Sequence, residues 1–490
     1  MAAIFDDAFD ALLDRLVKDW EIPGISIAIV PLSTSQPVFK SYGVAYGDES
    51  ITPKTRFPIC SLTKPFTALT LLRLLDAHNI FLSAPISDVI SDFHMRNEVD
   101  GAKVTFAHAL RHVTGVETAD VMYTDPAAKR DIIEYLANLP CPHAPGTTPF
   151  YSNYLYDIMA LAIEKLSGQA FAAVLPVTIF EPLGMKDTSF VGVGGEDVAM
   201  GLIPRLANGA LEPGKGIATG TSPKTGMQSI GTRCQGSYSL ISSAEDMAKW
   251  VASLSRNPYF PTASSGEVDV PPSWRFFQAL LDEPLKIGMG LYHGSHAGVD
   301  FIEGCGATAG YRHNMALIPE MGLGLVVLTS SKEGNELSAA IKLWAIRRYL
   351  GLETDSVLEA ATAERAKRHL QECAAQPAVS STDPTRPHPI GTYLGPALGT
   401  WYLTPSTFVD ERPECVNIPY LPWLYGDCVP LLASVGEGKY EGCMRWTDWA
   451  DGKVYYGCPF AAREKEGKGE IWITGFEWGV SGEMCVLRRV

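Results

Sequence analysis

The chain has 490 residues, 46% of them hydrophobic and 19% charged, and 40 Lys and Arg stand against 55 Asp and Glu for a formal charge of -15. That length exceeds the roughly 250–300 residues at which a single core stops growing, so one large domain and a smaller one are expected. The composition excludes collagen-like, coiled-coil and disordered classes, and the negative balance opposes nucleic acid or an anionic membrane as a partner.

The first predicted element is an amphipathic helix carrying Phe5, Phe9, Leu12, Leu13, Leu16 and Trp20 at helical spacing and ending before Pro23 and Gly24. Asp6, Asp7, Asp10 and Asp14 interrupt this segment, so it has neither the basic start nor the apolar centre of an export signal, and a cytoplasmic location is expected. Two strands, Ile25 to Val30 and Val38 to Tyr46, follow as a hairpin. The next helix is Thr63 to Ala77, with Leu69, Leu72 and Leu75 apolar and Pro65 in the first turn, where proline is tolerated. From about 80 to 167 the apolar spacing is mostly helical and ends in a helix from Leu155 to Leu166 closed by Gly168, which predicts an α-rich subdomain.

Strand signals return at Gly236 to Ile241, Ile287 to Tyr292, Tyr311 to Ile318 and Gly322 to Thr329, and a helix from Asn335 to Tyr349 stops at Gly351. The order predicts an α+β domain over 1–351, an antiparallel sheet flanked by helices. Residues 352–385 read as a polar helix and a Ser/Thr/Pro linker. Beyond them 386–490 read as a small antiparallel β domain, with strands at Gly399 to Leu403, Gly442 to Trp446, Lys453 to Gly457, Glu470 to Thr474 and Glu483 to Arg488. No apolar run approaches the ~18 residues of a membrane span, the segment Gly324 to Thr329 being strand-sized.

The ten cysteines include no Cys-x-x-Cys pair, so no zinc or redox site, and no other cofactor, is expected. Buried free thiols are the better reading. Six of the ten lie beyond residue 370, where a disulfide would require an oxidising compartment.

Ser61 and Lys64 form the chain's Ser-x-x-Lys, and at a spacing of three the two functional groups share one helix face. A serine hydroxyl attacks only when a neighbour takes its proton, and an amine does so when burial or nearby charge makes it a base. Alone, a helix-capping Ser followed by a solvated Lys would be the better reading. Tyr151-Ser152-Asn153 changes the balance, because it follows the turn-forming Pro145-Gly146 and precedes a helix. A Tyr hydroxyl beside a lysine can pass a proton between serine and leaving group, and an Asn amide can hold both the lysine and a substrate carbonyl.

With these motifs the sequence resembles the serine β-lactamase and penicillin-binding-protein-like family, in particular its class C, esterase and D-aminopeptidase branch and its fungal acyltransferases of natural-product pathways. The similarity covers roughly residues 5 to 350. Leu110 to Gly115 (LRHVTG) resembles the family's LLTHTSG segment, and Ala144 to Asn153 resembles its PG-x-x-F-x-YSN segment. Phe180 to Phe190 and Ser239 to Trp250 resemble two further family stretches. The resemblance implies a β-lactamase/transpeptidase-like fold, an acyl-serine intermediate on Ser61 with Lys64 and Tyr151 moving protons, and Asn153 as a substrate contact. It also implies an oxyanion hole from the backbone of Ser61 and Ala307 beside Gly306, and a C-terminal lipocalin-like barrel, which many relatives carry.

The family's third motif, Lys-Thr-Gly or His-x-Gly, falls at Gly304-Cys305-Gly306-Ala307, where Gly304 replaces the cation or imidazole. Lys224-Thr225-Gly226 lies some eighty residues too early and reads as a decoy. Arg312 or His313 is the candidate replacement for the lost carboxylate anchor. Cys305 reads as an inert thiol rather than a nucleophile. Arg256 to Trp274 reads equally as a lid over the site or as a surface loop.

The expected function is acyl transfer from a small, neutral ester, thioester or amide, a carrier-bound thioester among them, to water or another nucleophile. The alternatives are a D-amino-acid amidase or aminopeptidase, a non-hydrolytic rearrangement or cyclisation enzyme, and a catalytically idle binding protein. Oligomeric state is left open.

Overall fold

The structure, a computed structural model, describes residues 5–32, 36–46, 48–96, 103–116, 132–139, 141–190, 201–207, 210–219, 235–255, 286–308, 310–331 and 333–374. Beyond these it describes the strands 391–395, 399–405, 415–417, 429–436, 439–447, 454–465, 470–474 and 485–489.

Helix α1 (Asp7–Asp19) is capped by Asp6, whose carboxylate accepts from Ala8 N–H at 3.1 Å, and it leads into β1 (Gly24–Pro31), β2 (Val38–Tyr46), the short β3 (Glu49–Ser50) and β4 (Arg56–Pro58). A 3₁₀ turn, Cys60–Thr63, opens α2 (Lys64–Ala77). The longer helices of the middle region include α3 (Phe106–Leu110), α4 (Ile132–Asn138), α5 (Asn153–Ser167) and α6 (Phe171–Leu175). Gly168 ends α5 in the left-handed conformation (φ 70), as its position after the last apolar residue predicts. Next come β5 (Ser189–Phe190), the hairpin β6 (Gly201–Ala207) and β7 (Ala210–Thr219), the single helical turn α7 (Gln235–Tyr238), β8 (Leu240–Ser243) and α8 (Ala244–Leu254). The rest of the large domain is β9 (Lys286–Gly288), β10 (Leu291–His296), β11 (Val299–Thr308), β12 (Tyr311–Ile318), β13 (Leu323–Thr329), α9 (Gly334–Tyr349) and α10 (Asp355–Ala374).

Eight strands form an antiparallel sheet in the order β3-β2-β1-β13-β12-β11-β10-β9. Every residue of β1 is buried, because the sheet is covered on both faces. Ile25, Ile27 and Ile29 pack with Phe9, Leu13 and Leu16 of α1 and with Leu337, Ile341 and Trp344 of α9. Ala28 and Val30, of opposite parity, face the other layer with Leu62, Phe66, Tyr156 and Trp250. Each large side chain so buried contributes about 1.5–3 kcal/mol, and the Phe66–Trp250 stack (centroids 3.9 Å apart) adds a further ~0.5–1.5 kcal/mol. Helix α2 is the centre of the second layer: residues 64–72 are all buried, so its first half is enclosed on every face rather than amphipathic.

The expected α+β fold, an antiparallel sheet flanked by helices, is present. Two strand assignments need correction. Gly236 to Ile241 is not one strand: 235–238 is a helical turn and the strand begins at Leu240. Ile287 to Tyr292 is broken at Met289 and Gly290, both with positive φ, into β9 and β10.

At the C-terminus β14 (Gly391–Gly395), β15 (Gly399–Pro405), β16 (Cys415–Asn417), β17 (Val429–Gly436), β18 (Lys439–Thr447), β19 (Val454–Lys465), β20 (Glu470–Thr474) and β21 (Cys485–Arg489) form a closed antiparallel barrel, β21 pairing back onto β14. The five strands expected there are present; β14, β16 and β17 are additional. Lys224 to Gly226, the Arg256 to Trp274 segment and linker residues 375–385 lie outside the described residues.

Candidate active site

Ser61 sits in the 3₁₀ turn between β4 and α2. The residue before it, Cys60, holds φ 54, a left-handed conformation that non-glycine residues rarely adopt, and so puts Ser61 at a sharp corner ahead of the helix. The Cys60 thiol is buried and donates to the Pro58 carbonyl at 3.1 Å, and burial pushes it up to about 12.

Lys64, the first residue of α2, is 1% exposed, and its ammonium has three acceptors: Ser61 Oγ at 3.0 Å, Asn153 Oδ1 at 2.6 Å and the Ser237 carbonyl at 3.0 Å. Tyr151 donates its hydroxyl to Ser61 Oγ at 2.7 Å, and Lys64 Nζ lies 4.7 Å from the Tyr151 ring centroid. Lys64 and Tyr151, three and ninety positions from Ser61, thus meet at its one hydroxyl oxygen.

Three groups that carried no role in the sequence complete the arrangement. Asp157, four residues after Asn153 on α5 and so on the same face, accepts from the backbone N–H groups of Gly236 and Ser237, both at 3.1 Å. It thereby fixes the turn whose carbonyl receives Lys64, and the i, i+4 spacing from Asn153 is the signal that could have found it. Thr67 donates to the Gly236 carbonyl at 2.6 Å from the same side. Ser237 acts through its backbone and has no side-chain signature.

Strand β11 runs beside the Ser61 turn. A Cβ on Gly306 would stand 2.1 Å from the Ile59 carbonyl oxygen, so only glycine permits this approach. Pairing with β10 ends at Tyr292 and Glu303, and among the described residues no further strand pairs with that edge from Gly304 to Thr308, the stretch that contains Ala307. Ala307 is half-buried.

The structure does not bring Arg312 and His313 to the site as substitutes for the cation. Along β12, Tyr311 and Met315 face the Ser61 layer, while Ala316 and Ile318 face α1 and α9. Arg312 has the parity of the second set: its Cβ lies where a side chain on Gly334, at the start of α9, would fall, and its guanidinium folds onto the Thr308 and Tyr311 carbonyls. His313 is on the Ser61 side but fully committed. One ring nitrogen meets the Pro58 carbonyl at 2.9 Å, the other accepts from Thr329 N–H at 3.1 Å, and the ring packs edge-on against Phe57. Burial pulls its pKa down to about 3, so it is neutral at ordinary pH. Gly304 itself is buried, and a Cβ there would meet Leu291 Cδ2, Leu62 Cδ2 and Met315 Cε at 3.1 Å each.

Cys305 lies on the far face of the sheet with Asn314 Nδ2 3.1 Å from its sulfur, and burial pushes the thiol well above its ordinary range. It is not placed to act on a substrate at Ser61. Behind it Glu303 is ion-paired with Lys342 and accepts from Asn314 Nδ2 at 2.8 Å, all of them buried. Among the described residues no group of three His, Cys, Asp or Glu side chains is arranged to hold a metal ion.

A family model described as Beta-lactamase matches residues 9–347. An unguisins hydrolase of Aspergillus campestris is 26% identical over 419 residues, covering 80% of this chain and 75% of its own. Esterase EstB of Burkholderia gladioli is 27% identical over 371 residues, covering 67% and 91%. Among solved structures, the octameric penicillin-binding protein homologue from Pyrococcus abyssi superposes with a TM-score of 0.60 at 19% identity over 98% of this chain and 99% of that one.

Proposed function

The chain belongs to the β-lactamase family, whose members here include named hydrolases and esterases, and from that premise we propose that Ser61 forms an acyl-enzyme with a small neutral ester, thioester or amide. The observation that carries the reading is the contact of both Lys64 Nζ and Tyr151 Oη with Ser61 Oγ. With the charge held on Lys64, the proton acceptor is Tyr151 in its deprotonated form: as Oγ attacks the carbonyl carbon, the Ser61 proton passes to the Tyr151 oxygen. Tyr151 then returns a proton to the leaving group as the carbon–heteroatom bond breaks.

The charge on Lys64 stabilises negative charge developing on either oxygen, and being buried it acts without competing water. Asn153, held by Lys64, is the proposed substrate contact. The backbone N–H groups of Ser61 and Ala307 are the proposed oxyanion hole; the open edge of β11 and the close approach at Gly306 support that role. The names of the relatives favour water as the acyl acceptor; a small-molecule acceptor and a carrier-bound thioester donor use the same residues.

The test is intact-mass analysis after exposure to p-nitrophenyl acetate or a fluorophosphonate. The wild type is expected to gain one adduct, located on Ser61, and Ser61→Ala none. A wild type that gains no mass, or an Ala variant that gains as much, sinks the reading.

A further inference from the structure

We propose that His112 is a positioning residue that aims the Tyr151 hydroxyl at Ser61; the inference rests on the acyl-enzyme reading above. The segment Leu110 to Gly115 is one of those that carry the family resemblance, yet nothing in the proposed chemistry uses it.

His112 holds both chain neighbours of Tyr151. Its carbonyl accepts from Phe150 N–H at 2.7 Å, and its Nδ1 accepts from Ser152 N–H at 3.1 Å. Between those anchors the imidazole stacks on the Tyr151 ring itself, with centroids 4.6 Å apart and planes at 29°. It also lies against Tyr156, with centroids at 5.2 Å, and Tyr156 donates its hydroxyl to the Leu110 carbonyl at 3.0 Å. Tyr151 is thus fixed by backbone on either side and by a ring over its face, which leaves its hydroxyl one direction, toward Ser61 Oγ.

The backbone of His112 is shaped for this. Its φ of 56 is left-handed, and only through that turn do its ring and its carbonyl both reach the 150–152 segment. The residue is fully buried. Because Nδ1 is an acceptor, the ring must be the neutral tautomer, and burial together with the Lys64 charge holds His112 well below the ordinary imidazole value. A protonated ring would present N–H to N–H at Ser152 and lose the anchor.

The experiment is single-turnover acylation by p-nitrophenyl acetate in His112→Ala, His112→Asn, Tyr151→Phe and the two double variants. Asparagine tolerates the left-handed backbone and offers an amide oxygen near the place of Nδ1, so it keeps the Ser152 anchor and loses the ring. His112→Ala is expected to slow acylation roughly tenfold or more with substrate KM shifted less than about twofold, and His112→Asn is expected to recover part of that loss. In the Tyr151→Phe background, where there is no hydroxyl to aim, either substitution is expected to change the rate less than about twofold. An equal loss in both backgrounds, or no loss in either, overturns the proposal. If His112→Ala does not fold, the Asn variant carries the same comparison. A Tyr151→Phe enzyme as fast as wild type overturns the role of Tyr151 and this inference together, whereas a slow Tyr151→Phe enzyme with an undiminished His112 effect overturns this inference alone.

Discussion

The carbonyl oxygen of Ile59 stands where Gly306 leaves room, 2.1 Å from the point that a Cβ on residue 306 would occupy. That contact is backbone against backbone, so neither side can yield by rotating a side chain. Gly306→Ala must push β11 away from the Ser61 turn and with it the Ala307 N–H. Loss of one oxyanion donor commonly costs ~10²–10³ in rate, so acylation should fall by roughly that factor with a smaller loss in Tm. Gly304→Ala is the control, because its added Cβ meets only the ends of flexible Leu and Met side chains and should lower the rate far less. Single-turnover acylation and calorimetry on both variants check this; a Gly306→Ala enzyme at wild-type rate would remove β11 from the oxyanion hole.

Lys64→Ala and Tyr151→Phe are each expected to slow acylation by ~10²–10⁴-fold, the usual scale of a positioned proton transfer. Because both touch the same oxygen, the double variant should lose little more than the worse single one. A double loss equal to the product of the two single losses would mean that the residues do not act as one unit.

How much of this was legible depended on whether the relationship was local in sequence. Ser61 and Lys64 are three residues apart, so spacing alone put them on one face, and the types of Tyr151 and Asn153 just ahead of a helix announced the rest of the chemistry. The Ser237 carbonyl lies 173 positions from Lys64 and is a backbone group, so no residue type betrays it. Of strand β11 only the third-motif stretch was placed, and by resemblance alone, because Gly304 to Ala307 carries none of the β-branched or aromatic residues that mark a strand and glycine is there for the Ile59 contact. Alternation along β12 required Arg312 and His313 to face opposite ways. Which of them faces the Ser61 layer is decided by pairing with β11 and β13, and that one, His313, has both ring nitrogens engaged.

Stability should depend on pH through His313. Its folded value, about 3, is depressed from the 6.5 of an exposed imidazole, so between those values the unfolded chain binds a proton that the folded protein does not. The contribution is therefore fully present above pH 6.5 and is lost as pH falls toward 3. The loss reaches about 3 kcal/mol by pH 4 at ~1.4 kcal/mol per unit. The buried His112 acts in the same direction. His313→Gln, whose amide can serve both the Pro58 carbonyl and the Thr329 N–H, should be less stable than wild type at pH 7 yet lose less Tm between pH 7 and 4. Equal Tm losses in the two proteins would show that His313 is not the group that titrates.

The proposed preference for a neutral substrate can be tested at Gly304. Relatives place a Lys or His at this step of the strand, where it meets a substrate carboxylate. Here the position is lined by Leu62, Leu291 and Met315, while the Arg312 guanidinium is bound to the Thr308 and Tyr311 carbonyls and His313 is neutral with both nitrogens engaged. A carboxylate-bearing β-lactam would have to leave water without a charged partner at this position. A charge-assisted hydrogen bond is worth ~1.5–3 kcal/mol, so kcat/KM for penicillin or a cephalosporin should fall about 10–100-fold below that for a neutral short-chain ester turned over by the same Ser61. Gly304→His should narrow that gap by tenfold at most, because the imidazole must first displace three side-chain ends already at 3.1 Å from its Cβ, and it should lower Tm. The measurement is kcat/KM for both substrate types in wild type and variant, with Tm for each. Efficient β-lactam hydrolysis by the wild type would refute the argument and direct the search for a cation to segments such as the one carrying Lys224, outside the described residues.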